Sequence, residues 1–421
     1  MTTTSTLRAV PVHGGLSAPV DRIVAASEAA RWASLPRIEV NETDRTTLYR
    51  IADGTLSPLV GPMSRRDYES VLERAAIERG GKLYAWTIPI VLPITAAEEA
   101  NAKPGQELAL ASEGRVFGKL KVDGVFAWDK AKLVSTVYGT TRTDHPGARL
   151  WLSDAREKLV GGEIHLVPFQ DERPFAKRIL SPKETRALVA RRGFEQTVAF
   201  QTRNPLHRAH EYALVYGAEK LLRENGKKTG VILNPLVGQL KGDDVPAETR
   251  MQTYEALVQG RFLGQGDMDE ALWKKHGQSL NDQLELIGLD MRMFYGGPRE
   301  AVMHSIYRQN LGFSHFIVGR KHADAPYDDK TPIWGDFDAQ EIFKKLGGEL
   351  AIKTVNVGFA AYFAEIGRVG LVEDNQGKTQ VTISGTKMRE TLDKGEMPDD
   401  RVMRPSTAKV LAAYYQTQRK S

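Results

Sequence analysis

Thr197-Val198-Ala199-Phe200-Gln201-Thr202-Arg203-Asn204-Pro205-Leu206-His207-Arg208-Ala209-His210 is the stretch whose reading decides the fold. Its first four residues are a short apolar run, Pro205 interrupts regular structure, and a helical pattern follows from Ala209 to Glu224. The run therefore predicts a strand, a polar turn and a helix in succession. That is the unit from which parallel sheets are wound, and in such sheets ligands bind at the carboxyl ends of the strands.

Reading outward extends the pattern. Ser181-Pro182-Lys183-Glu184 combines an N-cap, Pro at the first helical position and an acid two residues on, and opens a helix to Arg192. Further strands are expected at Val231–Leu236, Met291–Tyr295, His315–Val318 and Leu350–Val355, with helices at Ala247–Phe262, Arg299–Leu311 and Asp338–Leu346. This alternation predicts a Rossmann-like, doubly wound α/β domain over residues 175–356. Upstream, residues 1–174 read as a β-rich domain with strands at Trp86–Leu92, Glu107–Leu110, Phe117–Val122, Leu133–Tyr138 and Glu163–Val167. One helix is expected there, from Ser64 to Gly80. The boundary falls in the charged, Pro-containing segment Pro168–Leu180. Residues 357–421 read as a small α/β C-terminal subdomain with a strand at Gln380–Ile383 and helices from Lys387 and Ser406.

The chain has 421 residues, 41% hydrophobic and 26% charged, which is globular composition. There is no cysteine, which excludes disulfides, thiolate nucleophiles, iron–sulfur clusters and cysteine zinc sites. The 58 basic and 53 acidic residues leave a net charge of +5, spread along the chain, which suits a small anionic substrate. No apolar run is long enough for a bilayer span, and no secretory leader is readable, so a cytoplasmic protein without a membrane partner is expected.

The motif turn carries the chemistry. His207 and His210 share a face at a helix N-terminus, where free N–H groups and the helix dipole attract phosphate. Arg203 offers a fork matched to paired phosphate or sulfate oxygens, and Gln201 and Asn204 add neutral groups beside it. Zinc would need a third ligand, which is not near in sequence, so no protein-bound metal is expected. A second cluster, Gly319-Arg320-Lys321-His322-Ala323-Asp324, lies at the end of the strand His315–Val318 and opens on the same sheet edge. A third, Ile383-Ser384-Gly385-Thr386-Lys387-Met388-Arg389, joins a strand end to a helix start, and Gly296-Gly297-Pro298-Arg299-Glu300 opens another helix. Hydrolase triads, P-loops and zincin motifs are absent from the sequence. An anion cradle without a nucleophile fits direct attack of one bound anion on a bound nucleotide.

The motifs Q-T-R-N-P-x-H-x-x-H, G-R-x-H-A and I-S-G-T-x-x-R, in this order, resemble those of the ATP-sulfurylase family. The resemblance extends over nearly the whole chain, including Trp86-Thr87-Ile88-Pro89, His145-Pro146-Gly147 and Asn234-Pro235-Leu236-Val237-Gly238. It implies a PUA-like first domain and an HxxH-type nucleotidyltransferase domain. It also implies the reversible reaction of ATP with sulfate to give adenosine 5'-phosphosulfate (APS) and diphosphate, with Mg2+ accompanying ATP.

By the resemblance, Gln201, Arg203 and the Ala323 backbone hold sulfate, while Thr202, Arg203, Asn204, His207 and His210 form the catalytic group. Gln201, Thr202, Arg203, Asn204, Gly319, Arg320, Lys321 and His322 contact the nucleotide. A homo-oligomer is expected, nucleic acid is not, and no fused APS kinase domain is expected because the sequence carries no P-loop. Lys321 departs from the family's usual Asp and is expected to raise the loop's positive potential, turning neighbouring imidazoles neutral. The segment Gly260–Gly288 is longer than the family's common form and adds a probable helix. The alternatives are a related nucleotidyltransferase with an organic phosphate acceptor and an RNA-binding protein built on the PUA-like domain.

Overall fold

The computed structural model describes residues 9–240, 244–382 and 385–418, without the side chains of 385 and 386. In the second half of the chain, Ser181 Oγ accepts the Glu184 N–H while the Glu184 carboxylate receives the Ser181 N–H. This reciprocal cap starts the helix Pro182–Arg192, and Gly193, at φ 62°, ends it. The chain then enters the strand Gln196–Phe200, in which all five residues are buried.

That strand is the centre of a five-stranded, wholly parallel sheet. Its order is Leu284–Leu286, Thr229–Leu233, Gln196–Phe200, His315–Val318, Lys353–Asn356. The first strand in sequence lies in the middle, so the chain winds outward on one side and then returns to the other flank. The reversal falls between Gln196–Phe200 and His315–Val318, and sheets of this kind bind their ligands at such a reversal, outside the carboxyl ends of the strands. Side chains alternate between two cores. Val198, Phe200, Val231, Leu233 and Ile317 face the helices Arg208–Asn225 and Ala247–Gln259. Ala199, Ile232, Phe316 and Val318 pack on the opposite side with Val189 and Phe313.

The motif strand and His315–Val318 are found as expected, but several other expectations fail. Met291–Tyr295 is not a strand; Leu284–Leu286, inside the long segment after Gly260, takes the edge position. The 291–295 run is buried, yet its groups bond outside any ladder: Tyr138 donates to the Phe294 carbonyl at 2.8 Å and Phe294 N–H to Glu300 at 2.8 Å. Leu133–Tyr138 is helical within Lys130–Tyr138, because Asp129 caps the Lys132 N–H and Gly139, at φ 67°, ends the helix. The helix from Ser64 stops at Arg74, after which Ala76–Arg79 pairs with Lys82–Ala85. Trp86–Leu92 is not a continuous strand, since only Leu92–Ile94 joins the sheet. The Asp338–Leu346 helix shortens to Asp338–Glu341 followed by a 3-10 turn.

The first domain carries a sheet ordered Arg37–Glu39, Glu107–Ser112, Arg115–Ala127, Lys158–Leu166, Leu92–Ile94, antiparallel except for its first pair. It also holds more than the one helix expected, among them Glu42–Ala52 and Pro146–Leu152. Its core runs without a break into the second half of the chain: Trp86, Ile88, Tyr138 and Trp151 share one cluster with Met291, Phe294, Met303 and Tyr307. The C-terminal part adds the antiparallel sheet Arg368–Leu371, Ala360–Phe363, Gln380–Val381 and the helices Gly385–Asp393 and Pro405–Gln418. Among the described residues no helix is long and apolar enough to cross a membrane.

Candidate active site

The first loop is rigid where it must be and open elsewhere. Thr202 Oγ1 accepts the Asn204 N–H at 3.1 Å, the Thr202 carbonyl accepts Leu236 N–H at 3.0 Å, and Tyr254 donates to the Asn204 carbonyl at 2.8 Å. Thr202, buried, is thus committed to shaping the turn, and Asn204 stands exposed at its tip. Among the described residues, Gln201 Oε1, Arg203 Nη1 and His210 Nδ1 are buried without a hydrogen-bond partner. Buried polar atoms are nearly always satisfied, so three orphans at one strand end mark a ligand position. The Arg203 guanidinium is held 5.2 Å from the Tyr295 ring centroid and 3.6 Å from Asp244. Tyr295 was placed in a strand by its sequence pattern; its left-handed φ of 56° instead sets the ring under Arg203.

His207 is the N-cap of the helix Arg208–Asn225: its Nδ1 accepts the His210 N–H at 3.4 Å. An accepting Nδ1 leaves the proton of the neutral ring on Nε2, where it is a donor for an anion. The His207 and His210 rings stack at 3.7 Å with 23° between planes. Burial lowers His207 to about 4 and His210 well below its usual value, the latter helped by the charge of His207. Burial therefore holds both rings in the neutral form.

The second loop meets the first across the sheet because His315 is in register with Val198. At Gly319 the fold itself requires no glycine: a Cβ there would meet no atom within 4 Å, so the space is available to a ligand. Lys321 and Ala323 both take left-handed backbone, at φ 48° and 57°, and the loop is closed by the Lys321 N–H donating to the Asp336 carbonyl at 2.8 Å and the Asp324 N–H to the Lys321 carbonyl at 3.2 Å. The Ala323 carbonyl accepts from the Gly297 N–H at 3.1 Å. Arg320 lies 3.4 Å from the ring centroid of Phe359 and donates to Asp336 at 2.9 Å. Lys321, exposed, also turns to Asp336, at 3.7 Å. Asp336 thus offsets the positive charge that Lys321 was expected to add to the loop. Nor is Lys321 what neutralises His322, whose affinity for a proton is depressed by burial first, then by His304 and Arg308.

Sequence reading missed the group behind His322. His304 Nδ1 lies 2.9 Å from His322 Nε2, and its Nε2 is 3.3 Å from Glu300 Oε1. Glu300 also accepts the N–H groups of Phe294 and Gly296, and burial pushes its carboxyl up to about 7. The i, i+4 spacing of Glu300 and His304 on one helix was the available signal. Arg203 and His322 both act on the Glu300 carboxyl, and Arg203 on Asp324, so Arg203 joins the two loops electrostatically. In the third motif, Ile383 and Ser384, and the side chains of Gly385 and Thr386, lie outside the described residues, and Arg389 is exposed on its helix. Arg299 donates to the Thr87 carbonyl at 3.2 Å, which makes it a domain contact.

The two loops thus present hydrogen-bond donors to one edge of the sheet. The ATP-sulfurylase family model matches residues 176–414, and a PUA-like domain model matches residues 11–169. The chain is 66% identical over 414 residues to a sulfate adenylyltransferase of Pyropia yezoensis, covering 98% of each. It is 36% identical to one of Synechococcus sp., covering 96% of each. Among solved structures, a hexameric APS kinase from Thiobacillus denitrificans superposes with a TM-score of 0.70 at 21% identity, over 96% of this chain and 69% of that one.

Proposed function

The chain belongs to the ATP-sulfurylase family, and from that premise we propose how its residues divide the reaction. It is a sulfate adenylyltransferase: a sulfate oxygen attacks the α-phosphorus of ATP in line, the bond to the bridging oxygen breaks, and diphosphate leaves. Gln201, Arg203 and the Ala323 N–H hold sulfate. Arg203, between the loops, also receives the α-phosphate, with Asn204 beside it, while Thr202 keeps the turn in shape for both. His207 and His210 face the leaving diphosphate. Their neutral rings bind ATP at little cost and donate N–H bonds that strengthen as negative charge gathers on the leaving group, so the interaction is strongest where it lowers the barrier. Gly319, Arg320 and His322 receive the nucleotide, and Lys321 contributes only through Asp336. Mg2+ enters on ATP, as part of the substrate.

The observation that carries this division is that, among the described residues, buried atoms of Gln201, Arg203 and His210 make no hydrogen bond at the carboxyl ends of two adjacent parallel strands. The test is exchange of labelled diphosphate into ATP by purified protein. Exchange that requires sulfate is expected, and exchange driven equally by an organic phosphate would refute the sulfate assignment. We also propose a cytoplasmic homo-oligomer that binds small molecules and not nucleic acid. Light scattering and an RNA mobility-shift assay check these two points.

A further inference from the structure

The segment after Gly260, for which the sequence offered no purpose, lies along one face of the helix that carries His207 and His210. Its contacts fall at Arg208, Glu211, Val215, Glu219 and Arg223, spaced three or four residues apart. At the end nearest the active site stands Asp267, 1% exposed. It accepts a two-pronged bond from Arg208, at 2.9 and 2.6 Å, and the Val369 N–H at 2.8 Å. Arg404, 8% exposed, comes from the C-terminal part: its Nε donates to Glu211 at 2.6 Å, and its Nη2 donates to the Gln265 carbonyl at 3.0 Å and reaches Asp267 at 3.5 Å. The Arg208 N–H itself donates to the Val402 carbonyl at 2.8 Å.

Two arginines and two acids thus form a charge-balanced quartet in which Asp267, Glu211 and Arg404 are buried and Arg208 is half-buried. It joins the first turn of the catalytic helix, the added segment and the C-terminal subdomain. We propose that this quartet is a latch and that Asp267, Arg404 and Glu211 are positioning residues for the reaction. Arg208 lies between His207 and His210 in the same turn, so fixing its guanidinium fixes the direction in which both imidazoles face the leaving diphosphate. The Val369 and Val402 bonds make that direction depend on the seating of the C-terminal subdomain. Buried ion quartets are poor stabilisers beside apolar packing but strong selectors of a single geometry, which is what a site facing an anion in transit requires. The inference rests on the role given above to His207 and His210.

The test compares Asp267→Asn, Arg404→Gln and the double variant, read as turnover of the folded fraction. Each single change leaves an unbalanced charge and is expected to lower kcat by about tenfold to hundredfold, as small misplacements of catalytic groups do. KM for sulfate, which the quartet does not touch, stays within about twofold. The double variant restores neutrality and is expected to be no slower than the worse single one, whereas independent structural damage would add. In a His207→Asn background, Asp267→Asn is expected to cost clearly less than in the parent, because only His210 is left to be misplaced. Parental kcat in folded Asp267→Asn, or additive losses in either pairing, overturns the proposal. If Asp267→Asn does not fold, Arg404→Lys, which keeps the charge and loses the fork, carries the same comparison. If His207→Asn turns over like the parent, the imidazole assignment fails. Hydrogen exchange at the Val369 and Arg208 amides then decides the latch separately, with faster exchange in Asp267→Asn supporting it and unchanged exchange refuting it.

Discussion

Replacing His207 by Asn separates the two tasks of this residue. His207 Nδ1 caps the helix at the His210 N–H, and its Nε2–H is the donor left for diphosphate. Asn is among the best N-caps, so the variant keeps the first task and loses the second. Loss of one donor aimed at developing charge costs about a hundredfold to a thousandfold in kcat, roughly 2.7–4 kcal/mol. KM for ATP should move less, because the interaction strengthens toward the transition state.

His207→Ala should lose the same activity and also the cap, about 1 kcal/mol of stability. A pH effect follows from the burial that holds the folded His207 at about 4 instead of 6.5. Between these values the unfolded chain binds more protons, so the stability tied to neutral His207 is present above pH 6.5 and lost as pH falls toward 4. At about 1.36 kcal/mol per unit, the upper limit of that loss is roughly 3.4 kcal/mol. His207→Asn should therefore unfold less readily in acid than the parent when the two are matched at pH 7. The assays are sulfate-dependent diphosphate exchange and urea midpoints at pH 5 and 7. Retention of kcat within about threefold of the parent would refute the donor role, since that is far below the expected loss for such a donor. Equal stability of the Asn and Ala variants would refute the capping role.

Arg203→Ala should lower exchange activity at least about a hundredfold with little change in melting temperature, since its partly exposed guanidinium supports no core; a melting loss as large as that of a core truncation would sink this view. Asp336→Asn removes the carboxylate that draws both Arg320 and Lys321. ATP and diphosphate affinity should then rise at low salt, and the gain should fade as the screening length shortens toward about 3 Å at 1 M; titration calorimetry at two ionic strengths checks it. Glu300, buried with its carboxyl raised to about 7, opposes the histidines. Its folded form holds a proton that the unfolded chain has released, so its contribution falls as pH rises from about 4.5 to 7. Glu300→Gln removes that falling part, so stability should climb more steeply with pH across the window than in the parent. Parallel urea-midpoint curves would contradict this.

Much of the fold was legible because the forces that shape it act over a few residues. The Ser181–Glu184 cap, the stop at Gly193, the apolar run at Thr197–Phe200 and the break at Pro205 are all local. So is the placement of Gln201 to His210 at a strand end, which follows once a strand, a turn and a helix are recognised in order. Apolar runs whose burial is decided elsewhere were less legible. Met291–Tyr295 is apolar at every position but Arg292, and such a run has no periodicity to tell helix, strand and buried coil apart, while Leu133, Val134, Val137 and Tyr138 do fall at helical spacing but in a run short and rich in β-branched residues. Leu284–Leu286 took the sheet edge with three residues, too few to stand out.

By itself, then, the sequence determined that a parallel sheet would present an anion-binding turn at Gln201 to His210 and a basic loop at Gly319 to Asp324. Only the tertiary structure decided what those residues do beside one another. The order of strands put the two loops side by side at one edge of the sheet. Packing placed Asp336 against Lys321, Tyr295 under Arg203 and His304 behind His322, and brought Asp267 and Arg404 to the helix of the two imidazoles. The physical reason is range. Caps, turns and amphipathic periods are set by neighbours three or four residues away, while the charge that tunes an active-site cation comes from 15 to nearly 200 positions along the chain, and sheet topology alone brings the two into contact.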